Sequence, residues 1–193
     1  VLRALRARSG TGAALSKAHG KIFALEPGAA LEDWQSPGAR EIEGGFVTAP
    51  GVFSADGIDP GSRLLADTLP ASLGAHVIDL GGSWGYLSAR ALERAKIARL
   101  DLVEADYAAL DCARRNLPDP RVHLHWTDAT VWRPDNAADT VIMNPPFHTS
   151  RAADPALGRA FIAAAAAMLR PSGALWMVAN RHLPYETTLA QHF

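Results

Sequence analysis

A single cysteine, Cys112, stands among the 193 residues, which excludes an internal disulfide framework and any metal site built from several cysteines. With no disulfide to maintain, a reducing, intracellular and cytoplasmic setting is the expectation, and no metal is expected. Long apolar runs are also lacking. The longest, Ala160 to Leu169, is too short and too rich in alanine to cross a bilayer, so no membrane segment is expected. Neither sign of charge is in excess: 19 Lys and Arg face 20 Asp and Glu, for a net charge of -1. A free RNA-binding module is normally more basic, so contact with nucleic acid would have to come from a local patch or a second domain. What remains is a chain that is 48% hydrophobic, long enough for one domain with a sizeable core.

Most of the chemistry points to Asn144-Pro145-Pro146-Phe147, which follows the apolar run Thr140-Val141-Ile142-Met143. Two prolines in succession have no N–H and disfavour helix in the residue before them, so the strand must end in a rigid, extended turn. Carbonyls of such a turn point outward. Asn144 adds a side-chain carbonyl, Pro145 a main-chain carbonyl and Phe147 a flat apolar face, a set suited to gripping a planar group that carries an NH2. A plain proline-rich loop after a strand is the alternative.

Residues 1 to 45 are rich in Ala, Gly and Pro, weakly patterned, and read as a lead-in to a domain over 46–193. The chain begins with Val rather than Met, so its first residue does not read as a true start. Asp56-Gly57 signals a tight hairpin-like turn, and Asp59 before Pro60 signals a helix start with Asp as N-cap and Pro in the first helical position. From position 75 strands and helices alternate: strands at 76–80, 99–104, 122–126, 140–143 and 174–179, helices at 86–95, 107–117 and 155–169, the last closed by Pro171 and Gly173. This alternation predicts an α/β, doubly wound, mostly parallel sheet with ligands at the carboxyl ends of its strands.

Between the first strand and its helix runs Asp79-Leu80-Gly81-Gly82-Ser83-Trp84-Gly85, where glycines let the backbone turn tightly and approach a ligand and the helix start favours a carboxylate. It lacks the glycine spacing of a dinucleotide loop and the Gly-Lys-Ser/Thr ending of a phosphate loop. Glu104 closes the second strand, where a doubly wound fold places an acid on ribose hydroxyls. Asp128 closes the third and could accept from an adenine amine, while Asp106 reads as a helix N-cap. Three acids and a glycine loop at strand ends describe an adenosine site.

Asp79 to Gly85, Glu104, Asp128 and Asn144-Pro145-Pro146-Phe147 fall in the order of a class I S-adenosylmethionine-dependent methyltransferase. More narrowly, Pro50-Gly51-Val52-Phe53-Ser54 through Asp59-Pro60-Gly61-Ser62, then Phe147-His148, then Val178 to Tyr185, resemble the small-subunit ribosomal RNA guanine-N2 methyltransferases over residues 46 to 193. The resemblance implies a Rossmann-like fold, S-adenosylmethionine bound by Asp79, Gly81, Ser83, Gly85, Glu104, Asp128 and Asn144, and methyl transfer to the exocyclic amine of a guanine in 16S rRNA. Asn144 and Pro145 would hold the amine, Phe147 would stack on the base, and Pro146, His148, Asn180 and Arg181 would contact the RNA. Arg151 could face its phosphates.

Ser83 departs from the pattern by standing where the family has a third glycine, bringing a Cβ close to the cofactor. The family fold closes with two strands beyond the equivalent of Phe193, and its larger members carry a preceding cofactor-free domain, of which residues 1–45 would be the tail. The same turn also serves methyltransferases of adenine N6 and of protein glutamine. A catalytically inactive domain that binds RNA or a partner is the reading of another class. Trp34, Trp84, Trp126, Trp132 and Trp176 are expected mostly in the core, Trp84 with a second role in shielding the cofactor, and Cys112 as a small buried side chain.

Overall fold

The computed structural model describes residues 2–8, 12–18, 20–25, 31–146 and 155–193. The chain divides into two compact units, Val1–Pro37 and Gly38–Phe193. The first holds a short helix α1 (Leu2–Arg8), the antiparallel pair β1 (Leu15–Lys17) and β2 (Gly20–Ile22), and a 3-10 turn at Glu32–Trp34. Arg8 pairs with the Asp33 carboxylate and lies 5.3 Å from the Trp34 ring centre. Exposed pairs of this kind contribute little to stability.

The second unit starts eight residues before the expected boundary at 46. Its first strands, β3 (Arg40–Glu41) and β4 (Val47–Thr48), pair antiparallel. Asn116 ties them to the rest by accepting from Val47 N at 2.7 Å and donating to Val47 O at 2.8 Å, while Phe46 packs on Trp84 with ring centres 5.3 Å apart. Asp56-Gly57 forms a tight turn, with Gly57 N donating to Ser54 O at 3.3 Å, but no strands flank it.

Next come α2 (Pro60–Thr68), β5 (His76–Leu80), α3 (Tyr86–Leu92), β6 (Arg99–Glu104), α4 (Tyr107–Asn116), β7 (Val122–Trp126), β8 (Ala138–Met143), α5 (Pro155–Met168), β9 (Leu169–Met177) and α6 (Glu186–His192). β5 to β9 make one parallel sheet in the order β7-β6-β5-β8-β9. The chain winds outward from β5 to one edge and then crosses to β8, so the winding reverses between β5 and β8. Such a switch point opens a crevice at the carboxyl ends of the strands.

Because side chains alternate along a strand, the sheet buries two faces. Val77, Leu100, Leu102 and Ile142 pack on the side of α2, α3 and α4, whereas Ile78, Leu80, Val103, Val141 and Met143 pack against Phe161, Ile162 and Met168 of α5. Fully buried side chains of this kind each contribute about 1.5–3 kcal/mol. One charge sits within the second face: Asp101 accepts from His76 Nε2 at 2.6 Å, His125 Nε2 at 2.7 Å and Arg99 Nε at 2.8 Å. Burial pushes its carboxyl up, but these three donors outweigh it and hold it below the ordinary value.

Three expectations are corrected. Pro171 and Gly173 do not close α5, because β9 begins at Leu169 directly after it. Ala138 pairs with Leu169 and Thr140 with Ala174, so two steps along β8 oppose five along β9; Pro171, with no N–H to give the ladder, lies in that irregularity. Trp126 is not core: it is exposed, edge-on to Tyr107 at 5.0 Å, and donates to Ala105 O at 2.9 Å. Trp34 is exposed as well. Cys112 is buried in α4 as expected, and burial raises its thiol pKa. No helix among the described residues is long and apolar enough to cross a membrane.

Candidate active site

Leu80 ends β5, and the chain must then reverse into α3 over a single turn. Gly81 takes φ +75° and Gly85 φ +91°, left-handed conformations that side chains resist. Room is short too. A Cβ on Gly82 would lie 2.7 Å from Leu102 Cγ and 2.9 Å from Asp79 Cγ, and one on Gly81 would lie 3.0 Å from Phe161 Cε1. The loop's amides are largely committed. Gly81 N and Gly82 N donate to Val103 O at 2.8 and 3.2 Å, and Ser83 N donates to Glu104 Oε2 at 2.8 Å. They pin the loop to β6. Ser83 itself adopts φ +48°, a left-handed conformation that favours glycine.

Glu104 is held on both oxygens: Oε2 by Ser83 N, and Oε1 by Ala105 N at 2.7 Å and Asp106 N at 2.8 Å. Each carboxylate oxygen can accept about two bonds, so the fixed carboxylate keeps an acceptor site on Oε2 for a ligand hydroxyl. Asp128 takes Thr130 N at 2.8 Å and Thr130 Oγ1 at 2.7 Å, both on Oδ1, and these bonds, the side-chain one foremost, hold its carboxyl below the ordinary value. Asp106 caps α4 by accepting from Ala108 N at 2.9 Å, as expected.

At the end of β8, Pro145 is buried and Pro146 exposed. Asn144 Nδ2 donates to Asp59 Oδ2 at 3.1 Å and to Ser62 Oγ at 2.9 Å. Both hydrogens of that amide are thereby taken, which leaves its oxygen as the group to offer a ligand. Asp59 also caps α2 through Ser62 N at 2.7 Å, with Pro60 in the first helical position.

One cavity of about 390 Å³ joins these groups, within the range of small-molecule sites. Gly81, Gly82, Ser83, Glu104, Asp128, Asn144, Pro145 and Pro146 line it, together with residues the sequence did not mark as ligand-facing: Phe53, Asp59, Ser62 and Phe161. Trp84 lines it too, and its indole N–H holds Phe53 O at 2.8 Å, so the tryptophan anchors the turn opposite the glycine loop.

Several expected site residues do not reach the cavity. Gly85 packs against Leu117, whose Cδ1 would lie 2.7 Å from an added Cβ, and its conformation serves the turn. Asn180 and Arg181 are exposed beyond β9 and do not line it; Asn180 Oδ1 accepts locally from His182 N at 3.1 Å. Phe147, His148 and Arg151 lie outside the described residues. Among the described residues no group of three His, Cys, Asp or Glu gathers in a way that could hold a metal ion.

Asp79 is also set back from the cavity. It is fully buried beneath Gly82, with Oδ2 accepting from Ser88 Oγ at 2.7 Å and Oδ1 without a partner among the described residues. Burial pushes its pKa up from 3.8 to about 7, against the hydrogen bonds from Ser88. A carboxyl whose folded pKa exceeds its unfolded value gives stability that is full below the unfolded value and lost as pH rises through the folded one. The loss attributable to Asp79 therefore falls between about pH 4 and about pH 7 and amounts to at most ~4 kcal/mol. Melting curves across that window should show wild type losing stability relative to Asp79→Asn as pH rises. Parallel Tm profiles for the two proteins would refute the neutral, buried carboxyl.

Residues 43–193 match the family model described as "Methyltransferase small domain". The chain is 33% identical over 153 residues to "Ribosomal RNA small subunit methyltransferase C" of Hahella chejuensis, covering 76% of this chain and 43% of the relative. It is 32% identical over 181 residues to "Ribosomal RNA large subunit methyltransferase G" of Alcanivorax borkumensis, covering 90% and 46%. Among solved structures, the T. thermophilus 16S rRNA N2 G1207 methyltransferase, in complex with AdoMet and guanosine, superposes with a TM-score of 0.74 at 29% identity, covering all of this chain and 56% of that one. The chain thus spans about half the length of the relatives it matches.

Proposed function

Because the chain belongs to the methyltransferase small domain family, we propose that it transfers the methyl group of S-adenosylmethionine to ribosomal RNA, and more narrowly to the exocyclic N2 amine of a guanine in 16S rRNA. The observation that carries this reading is a single cavity in which Glu104 and Asp128 stand at the ends of adjacent strands and Asn144-Pro145-Pro146 at the end of the strand across the switch point. The residues present fit the cofactor: a wall of the cavity made by Gly81 and Gly82 with no side chains to obstruct it, a fixed carboxylate for a ribose hydroxyl at 104 and a second for the adenine amine at 128. When bound, S-adenosylmethionine supplies a methyl carbon on a sulfonium, open to attack by an amine.

The protein's own task is to position that amine. Guanine N2 is a poor nucleophile, because its lone pair is delocalised into the ring. Acceptors that hold its two hydrogens favour a pyramidal nitrogen and turn the lone pair towards the methyl group. Asn144 Oδ1 and the Pro145 carbonyl are those acceptors. Phe147 follows in sequence and is assigned to stack on the base, which must leave its helix to reach the pocket. The amine's proton leaves to solvent after transfer, so neither a metal nor a covalent enzyme intermediate is required.

Names of relatives divide between the small and the large ribosomal subunit. The test offers labelled S-adenosylmethionine with naked 16S and 23S rRNA, assembled small and large subunits, and a glutamine peptide. Label in 16S rRNA, free or in the subunit, is expected. Label confined to the peptide or to 23S rRNA would overturn the substrate assignment.

A further inference from the structure

We infer that Asp59 fixes which way round the Asn144 amide sits, and so acts as a positioning residue that restricts the target to an atom bearing hydrogens. The inference rests on the amino-transfer reading. An asparagine amide is nearly symmetric in shape, and rotation about its last torsion exchanges C=O for NH2 at almost the same positions. Left to itself, Asn144 could present either end to the cavity. The two ends select opposite chemistry: the oxygen attracts an amine, whereas the nitrogen would attract a carbonyl oxygen or a ring nitrogen.

Asp59 removes the choice. Its Oδ2 lies 3.1 Å from Asn144 Nδ2, and a carboxylate can only accept, so the amide must turn its nitrogen towards Asp59. Reversed, it would set two oxygens against each other at hydrogen-bond distance in a part-buried site. Ser62 Oγ, 2.9 Å from the same nitrogen, does not discriminate, because a hydroxyl donates as readily as it accepts. The carboxylate is itself held, since Oδ2 also takes Ser62 N at 2.7 Å at the start of α2. Helix α2 and the end of β8, 85 residues apart in sequence, thereby meet on one oxygen atom.

Two variants separate this role from simple capping. Serine caps a helix about as well as aspartate, so Asp59→Ser keeps α2 but is too short to reach Asn144. Asp59→Asn keeps both, with its carbonyl oxygen in place of Oδ2. We expect α2 to stay folded in both variants and, at saturating S-adenosylmethionine, a kcat about tenfold lower in Asp59→Ser, as misplacement by a fraction of an ångström costs, with most of that turnover restored in Asp59→Asn. The lock also has a readout independent of catalysis. Side-chain amide NMR signals of Asn144, assigned by their loss in Asn144→Ala, should be protected from hydrogen exchange in wild type and Asp59→Asn but not in Asp59→Ser. Equal turnover and equal protection in the serine variant would overturn the inference. An inactive wild type that still showed this exchange pattern would refute amino transfer and leave the lock standing.

Discussion

Replacing Asn144 with alanine lowers kcat by roughly 10²-fold or more, while affinity for S-adenosylmethionine changes little. In the proposed reaction the amide oxygen would accept from the target amine most strongly as the nitrogen becomes pyramidal and its hydrogens grow more acidic, so its contribution would be concentrated in the transition state. Removing one group that stabilises developing charge in a closed site typically costs 10²–10³ in kcat, or about 2.7–4 kcal/mol. Glu104 and Asp128 are untouched by the change, which is why cofactor binding should survive. The fold should survive too. Asp59 still caps α2 through Ser62 N after the substitution. Steady-state kinetics on rRNA beside calorimetry with the cofactor separates the two effects, and near wild-type turnover in Asn144→Ala would make the proline turn merely structural.

Glu104→Ala should show the complementary pattern, with S-adenosylmethionine affinity falling about ten- to a hundredfold. Loss of a hydrogen bond to a charged group costs on the order of 1.5–3 kcal/mol, and each 1.4 kcal/mol is tenfold. The structure adds a second cost. Ser83 N, Ala105 N and Asp106 N all donate to this carboxylate, so its removal releases the glycine loop on one side and the start of α4 on the other. Glu104→Gln retains a single carbonyl oxygen and should fall between wild type and alanine. Equal affinity of all three proteins, measured by calorimetry, would remove Glu104 from the cofactor site.

β5 and β6 were legible in the sequence because they lie inside the sheet and are buried on both faces. The edge strand β7 is only part-buried, yet the bounds read from the sequence, 76–80, 99–104 and 122–126, are those found for all three. Where tertiary context overrode local pattern, the reading failed. Pro171 looks like a helix stop, yet it sits in a strand that tolerates it only through a five-against-two irregularity. Residues 38–45 carry little pattern of their own and belong to the second unit through β3 pairing with β4 and Asn116 bonding to Val47. In the site, acids and glycines at strand ends were visible because topology alone places them together. Asp59 was not, since its role as N-cap accounts for the motif completely and nothing local reveals a partner 85 residues away. Asp79 misled for the opposite reason: it stands in the loop motif, but its alternation along β5 turns it inward, under Gly82.

The proposed mechanism turns on whether the amide oxygen of Asn144 holds an exocyclic amine for methylation. Mass spectrometry of nucleosides from 16S rRNA, digested after incubation with the protein and S-adenosylmethionine bearing a labelled methyl group, tests it most directly. Label is expected in N2-methylguanosine, present with wild type and reduced by roughly 10²-fold or more with Asn144→Ala. Label on a ring nitrogen, a base carbon or a ribose oxygen, or label equal in the two proteins, would contradict it.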